Sequence, residues 1–170
     1  MEYTNRCLKF KLPNDNCMDL LNDVLLKIRK YCQVKSDTPE SAGFLLGYQN
    51  INTQNITIAD CTLPQPNDLH TRFFCKIKDA FHFASLREKA KSKNYYVGVW
   101  HTHPQEVPVP SSIDWRDWKE ALLEDKSGTP YIFFIILGTK EFRVWLGDPI
   151  GNTICEIFES EMVDEIYTER

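Results

Sequence analysis

The stretch Tyr95–Asp114, YYVGVWHTHPQEVPVPSSID, indicates the fold more clearly than any other part of the sequence. It begins with a short apolar run, Tyr95–Trp100, that favours a buried strand. Three prolines follow and interrupt regular structure, and Ser111 then precedes a helical pattern, where serine is a favoured N-cap. The stretch therefore predicts a strand, a proline-rich loop and a helix, in that order.

Patterns on both sides of this stretch predict further strands, helices and one long loop. Alternating or short apolar runs predict strands at Cys7–Leu12, Ser41–Tyr48, Asn55–Thr62, Phe73–Ile77, Tyr131–Leu137, Glu141–Leu146 and Asn152–Phe158. Helical spacing predicts helices from a cap at Asn14–Asn16 to about Cys32, from Asp79 to about Ser92 with Phe81, Phe83 and Leu86 towards the core, from Ser111 to about Glu124, and through Met162, Val163, Ile166 and Tyr167. Pro64–Thr71 reads as a polar loop. The prediction is an α/β fold with a mixed, mainly antiparallel sheet flanked by helices.

The composition is that of one globular domain, residues 1–170. The chain is 42% hydrophobic and 12% aromatic, which is enough for a core of its own. A net charge of -4 gives no sign of nucleic-acid binding. No apolar segment of signal-peptide type follows the start, and the longest apolar run, Tyr131–Leu137, is too short to span a bilayer. We therefore expect a cytoplasmic protein that does not act at a membrane.

The six cysteines do not indicate a site. None belongs to a C-x-x-C pair, which argues against a zinc site built of thiolates. In a cytoplasmic protein they are expected to be reduced and to pack as small apolar residues. A cysteine nucleophile would also need a histidine beside it, and the best-placed histidines fit a metal site instead.

His101 and His103 are the first candidate metal ligands. Side chains two residues apart in a strand point to the same face, so the two imidazoles can meet at one ion. Asp114 would stand in the first turn of the following helix, where a carboxylate is stabilised in its ionised form. The alternatives are an ordinary histidine pair and a plain capping box between Ser111 and Asp114, and the capping box is compatible with a metal site.

Two histidines and one carboxylate, with a fourth position open to water, are typical of a catalytic zinc ion. Non-haem Fe²⁺ uses similar ligands, but usually for dioxygen chemistry. The other two histidines, His70 and His82, lie outside this pattern and are predicted to be surface residues.

The spacing His101-x-His103-x(7)-Ser111-x(2)-Asp114 resembles the signature of the JAMM (MPN+) metallopeptidases, and all four positions match. The family also has a glutamate upstream of the motif, beside a strand that contains glycine, and Glu40 in Glu40–Gly47 (ESAGFLLG) fits that element. The resemblance extends from about Phe10 to Phe158. It implies the MPN/JAB architecture, which is similar to that of cytidine deaminases.

The resemblance also implies a role for each residue of the motif. His101, His103 and Asp114 would bind one Zn²⁺ per chain. Glu40 would act as the general base, taking a proton from the zinc-bound water and returning it to the leaving amine. Ser111 would stabilise the tetrahedral oxyanion.

The text from Gly98 to Trp115 is similar to that of compact bacterial JAMM peptidases from CBASS anti-phage operons. This similarity implies a substrate: the C-terminal tail of a cGAS-like nucleotidyltransferase that has been joined to another protein. It also implies a functional partner, the E1–E2-like conjugating enzyme of the same operon. Two alternatives remain open. One is a JAMM protease that processes a ubiquitin-like or sulfur-carrier protein, and the other is a non-catalytic, zinc-containing protein-binding module.

Overall fold

The computed structural model describes residues 7–160, which form ten strands and three helices. The strands are β1 (Cys7–Lys11), β2 (Cys17–Leu21), β3 (Ala42–Gln49), β4 (Ile56–Cys61), β5 (Leu69–Thr71), β6 (Phe74–Lys76), β7 (Tyr95–Thr102), β8 (Ile132–Leu137), β9 (Phe142–Asp148) and β10 (Thr153–Ile157). The helices are α1 (Asn22–Ile28), α2 (Ala80–Ala90) and α3 (Ser112–Glu124). The helix predicted through Met162–Tyr167 lies outside the described residues.

Eight strands form one sheet in the order β1-β2-β4-β3-β7-β8-β9-β10. Five of its seven neighbouring pairs are antiparallel, whereas β2–β4 and β7–β8 are parallel. The remaining strands, β5 and β6, form a separate antiparallel hairpin. The predicted mixed, mainly antiparallel sheet flanked by helices is confirmed.

The two faces of the sheet are covered differently. On one face α1 packs into the larger core, which includes the fully buried Trp100 of β7. On the other face Trp118 of α3 stacks on Phe134 of β8, with ring centroids 4.7 Å apart and an interplanar angle of 16°. Because β8 is the parallel neighbour of β7, this stacking holds α3 beside the end of β7.

The helix predicted from Asn14–Asn16 to Cys32 begins later than expected. Cys17–Leu21 is a strand, and α1 starts at Asn22. Met18 and Leu20 point into the core from β2, which pairs with β1 on one side and in parallel with β4 on the other. Pairing with a strand 38 positions away along the chain, such as Met18 with Ile56, leaves no trace in the local pattern.

The predicted inner face of α2 is also wrong. Phe81 and Phe83 are 55% and 45% exposed, whereas His82 between them is completely buried. The imidazole of His82 lies 2.7 Å from Asp68 Oδ2 and 2.7 Å from Thr62 Oγ1. His82 is therefore not a surface residue, because two polar partners allow α2 to bury it.

Asp68 organises the segment between β4 and α2. Its Oδ1 accepts the N–H groups of Lys78 and Asp79, and its Oδ2 accepts that of Gln65 and contacts His82. Burial alone would raise the pKa of this carboxyl, but these donors outweigh it and lower the pKa to about 2. The predicted loop at Pro64–Thr71 ends in a short strand, β5, which pairs with β6. Asp68 lies directly before this strand and holds the chain there.

Among residues 7–160, no helix combines the length and the apolar character needed to cross a bilayer.

We expect Asp68→Asn to lower the free energy of unfolding by about 2–4 kcal/mol at pH 7, since an amide NH₂ would face N–H donors. The control is Asp15→Asn. Asp15 is highly exposed and has a positive φ, which asparagine tolerates. We expect this substitution to change the free energy of unfolding by less than about 0.5 kcal/mol.

Urea denaturation measures both values. The ionised Asp68 contributes stability above its unfolded pKa near 3.8 and loses that contribution as the pH falls towards 2. The difference between wild type and Asp68→Asn should therefore narrow between pH 5 and pH 3. If Asp68→Asn and Asp15→Asn lowered the free energy of unfolding by the same amount, the stabilising role of Asp68 would be contradicted.

Candidate metal centre

Strand β7 carries His101, and His103 follows directly after its end, where its N–H donates to Leu137 O at 2.8 Å. The strand lies between β3 and β8, with His101 opposite Ala42 and Ile136. Gly98 permits the close contact with β8, because a Cβ there would lie 1.8 Å from the carbonyl oxygen of Phe133 and its φ is 153°. Both imidazoles are nearly buried, so their positions are set by a rigid central strand.

Helix α3 delivers the carboxylate. Ser111 caps the helix: its hydroxyl accepts the N–H of Asp114, and Asp114 Oδ2 accepts the N–H of Ser111. The capping box considered from the sequence is therefore present. The same carboxylate also reaches the histidines, with Oδ1 3.1 Å from His101 Nε2 and Oδ2 3.3 Å from His103 Nε2.

The three groups are close enough together to reach one small cation. The two Nε2 atoms are 3.1 Å apart, Oδ1 of Asp114 lies 3.1 Å from His101 and its Oδ2 lies 3.3 Å from His103. Two imidazole nitrogens and a carboxylate are also a donor set that zinc prefers. The residues present therefore fit a zinc ion in their chemistry.

The contact between Asp114 and the histidines shifts the pKa values of Asp114 and His103. Burial disfavours the charged form of Asp114, but hydrogen bonds from both histidines hold its pKa well below the usual range. Burial also lowers the pKa of His103, and the adjacent Asp114 reverses this and raises it. An ionised carboxylate at this position attracts a cation or a proton.

Gln105 orients the ring of His103. Its Oε1 accepts the N–H of Val109 at 2.8 Å, which identifies that atom as the oxygen, and lies 3.4 Å from His103 Nδ1. Nδ1 must then carry the hydrogen of a neutral ring, and Nε2 presents its lone pair towards His101 and Asp114. Sequence reasoning missed Gln105, although its position two residues after a candidate ligand was a usable signal.

Glu40 stands across from the histidines, two residues before β3. One carboxylate oxygen of Glu40 and one nitrogen from each of His101 and His103 lie within 4.8 Å of one another. Glu40 is therefore a second carboxyl group, besides Asp114, in reach of both histidines. Burial raises the pKa of Glu40 to about 8, opposed by His103 and reinforced by Asp114.

The backbone of Glu40 is held by the β5–β6 hairpin. Its N–H donates to Thr71 O at 2.7 Å, and its carbonyl oxygen lies 2.9 Å from Nδ1 of His70. His70 is therefore half-buried and engaged with the site, so the prediction of a surface residue is wrong for it as well. The error has the same origin as that for His82, namely contacts made by a segment distant along the chain.

One cavity of about 540 Å³ collects the predicted residues. Its walls include Glu40, both histidines, Asp114 and Ser111. The Ser111 hydroxyl accepts an N–H from Asp114, and its own proton is not used by that bond. The cavity thus brings together a candidate metal site, a carboxyl group and a hydroxyl donor.

Known proteins are similar to this chain over most of its length. A family model described as prokaryotic homologs of the JAB domain matches residues 22–147. The chain is 30% identical to a CD-NTase/cGAS isopeptidase of Vibrio cholerae, over 82% of this chain and 86% of that protein. It is 28% identical to a protein of the same name from Escherichia coli, over 84% and 88%.

A solution structure of a protein from Desulfitobacterium hafniense has a similar fold. It covers 85% of this chain and 90% of its own, with a TM-score of 0.53 and 16% sequence identity. At that identity the similarity concerns the fold alone.

The donor set predicts one divalent cation per chain. Asp114→Asn keeps the shape and the capping acceptor but removes the charge. We expect it to weaken binding by more than the roughly 10–100-fold that loss of an outer partner costs. Glu120→Gln, an exposed acid on the same helix that does not line the cavity, is the control and should bind as wild type does. Calorimetric titration of metal-stripped protein with zinc measures both, and equal affinities would contradict the assignment.

Proposed function

The chain belongs to the family of prokaryotic homologues of the JAB domain, and on that basis we propose that it is a zinc-dependent isopeptidase. We further propose that residues 1–170 act as one metallopeptidase domain. The observation that carries the proposal is that His101, His103 and Asp114 contact one another at 3.1–3.3 Å, with Glu40 in reach of the same two histidines.

Each residue has a proposed role in hydrolysis. His101, His103 and Asp114 hold zinc, which when bound supplies an acidified water and polarises a carbonyl group. Glu40 accepts a proton on its carboxylate and delivers it to the departing amine. A carboxyl group whose pKa lies near neutrality suits this exchange, and a nearby cation would favour its ionised form. Ser111 donates a hydrogen bond from its hydroxyl to the developing oxyanion.

The substrate is proposed to enter as an extended tail. The wall of the cavity opposite α3 is the stretch from Phe73 to Ile77, which contains β6. Among the described residues β6 pairs only with β5, so its other edge can accept a further strand. Main-chain hydrogen bonds to such an edge bind a flexible tail, whereas a folded loop would not fit.

The names of two relatives support a proposal for the identity of that tail. Two proteins similar over more than four fifths of this chain are named CD-NTase/cGAS isopeptidases. We propose that this enzyme cuts just after the C-terminal residue of a cGAS-like nucleotidyltransferase joined to a lysine or a peptide. It would thereby oppose an E1–E2-like conjugating enzyme in the cytoplasm, within CBASS anti-phage defence.

The central test is a fusion of the operon's nucleotidyltransferase, through its own C-terminus, to a reporter protein. Wild-type enzyme should release the reporter at the native C-terminus, as identified by mass spectrometry. Glu40→Gln should keep zinc and fold but lose nearly all turnover, because the amide cannot accept the proton. Glu106→Gln, an exposed acid paired with Lys140, is the control and should cut normally.

The outcomes separate the alternatives. Cleavage of a β-grasp carrier fusion, with the nucleotidyltransferase fusion intact, would reject the anti-phage substrate and retain the peptidase. Zinc binding without cleavage of either fusion would favour the protein-binding module. Loss of zinc in Glu40→Gln would make Glu40 a ligand rather than a base.

Ser111 has two proposed roles, as a helix cap and as an oxyanion donor, and the loss of each should have an effect of different size. Loss of a helix cap costs about 1 kcal/mol of stability. Loss of an oxyanion donor costs about 10²–10³ in kcat. We therefore expect Ser111→Ala to reduce turnover by that factor while the melting temperature falls by only a few degrees. If Ser111→Ala lost much stability but kept normal turnover, Ser111 would act only as a helix cap and not in catalysis.

A further inference from the structure

We propose that Gln33 and Thr102 are positioning residues that set the location of Glu40 relative to the two histidines. The inference rests on the proposed function and extends it to two residues with no part in the motif chemistry. Both side chains are buried, Gln33 at 1% exposure and Thr102 at 0%. Neither lines the cavity, so neither can act on substrate directly.

Thr102 lies between the two histidines and points to the opposite side of β7. Its hydroxyl accepts the N–H of Ser41 at 3.0 Å, and its own N–H donates to the Ser41 carbonyl at 3.0 Å. Ser41 is the immediate neighbour of Glu40. The histidine strand and the glutamate are thus joined by two short hydrogen bonds, one of which depends on a side chain.

Gln33 extends this link. Its Oε1 accepts the Thr102 hydroxyl at 3.2 Å, and its Nε2 donates to Thr38 O at 3.1 Å and to Arg72 O at 2.7 Å. The two carbonyl partners fix the orientation of the amide, because a flipped amide would oppose oxygen to oxygen. Both hydrogens of the NH₂ group are used, and both partners are carbonyl groups of connecting segments.

We call Gln33, Thr102 and their backbone partners in Thr38, Ser41 and Arg72 the Gln33 clamp. It joins the end of β7, the segment that carries Glu40, and the turn of the β5–β6 hairpin. The segment around Glu40 forms no strand before Ala42, so sheet pairing does not hold it in place. The hydrogen bonds of the clamp, together with that from Glu40 N–H to Thr71 O, supply the constraint instead.

The clamp makes two different predictions for its two side chains. Thr102 touches the Glu40 segment and Gln33 but not the hairpin, so its loss should affect the chemical step alone. A catalytic group displaced by about 1 Å can lose about 10² in rate. Gln33 also holds the turn of the hairpin proposed to bind the tail, so its loss should additionally raise KM.

Four variants of the zinc-loaded protein test this with the nucleotidyltransferase–reporter fusion. Thr102→Val keeps shape and removes the hydroxyl, and Thr102→Ser keeps the hydroxyl. Gln33→Met removes the amide at similar volume. Gln49→Met makes the same change at an exposed glutamine at the far end of β3. The measurements are kcat, KM, zinc content and hydrogen exchange of the Glu40 and Ser41 amides.

We expect kcat to fall about 10–100-fold in Thr102→Val and Gln33→Met, with KM raised only in Gln33→Met. Zinc should remain at about one per chain. Exchange at Ser41 should be at least about tenfold faster in Thr102→Val, which removes the acceptor of that amide. Exchange at Glu40 and Ser41 should also rise in Gln33→Met, because the segment that carries them is held less firmly. Thr102→Ser and Gln49→Met should behave as wild type.

Wild-type kcat and exchange in Thr102→Val would overturn the proposal, as would equal losses in Thr102→Ser and Thr102→Val. If Thr102→Val does not fold, Gln33→Met and Thr102→Ser decide the same question. If wild-type protein cleaves neither fusion, the proposed function fails, and exchange at Glu40 and Ser41 alone then supports or rejects the clamp.

Discussion

The position of the Asp114 carboxylate constrains most of this structure. It must satisfy N–H groups at the start of α3 while standing 3.1–3.3 Å from two imidazole nitrogens at the end of β7. Both conditions hold only if the helix begins beside the end of the strand. The Trp118–Phe134 stack anchors α3 to β8, which is also the parallel partner of β7. Strand β8 therefore fixes the distance between the Asp114 carboxylate on α3 and the imidazoles at the end of β7.

The same cluster concentrates charge in a place that water reaches poorly. Two carboxyl groups, Glu40 and Asp114, share a buried region, and each disfavours ionisation of the other. Asp114 keeps its charge because two histidines and the helix start stabilise it, whereas burial raises the pKa of Glu40 to about 8, opposed only in part by His103 and reinforced by Asp114. A bound cation would offset this repulsion, so the electrostatics of the cluster favour occupation by a metal ion.

The wall of the cavity formed by the β5–β6 hairpin is held by different forces. Leu69 and Phe73 are largely exposed, so the hairpin buries little apolar surface of its own. Its position depends on polar contacts instead, chiefly those of Asp68, His70 and the Gln33 clamp. Such a segment opens more readily than the sheet, which suits a surface that must admit and release a chain.

The sequence by itself determined the strand–loop–helix unit from Tyr95 to Glu124 and the identity of the groups that meet there. Fixed spacing was sufficient, because side chains two apart in a strand share a face and a capping serine orients the acid three residues later. Only the tertiary structure decided β2 and β5, the burial of His82, and the roles of His70 and Gln33. Apart from β5, which pairs with the nearby β6, each of these depends on a partner that is 14 or more residues distant along the chain, such as Ile56 for Met18 or Thr102 for Gln33. Local periodicity carries no information about such partners, since the free energy that selects them appears only when the chain has folded.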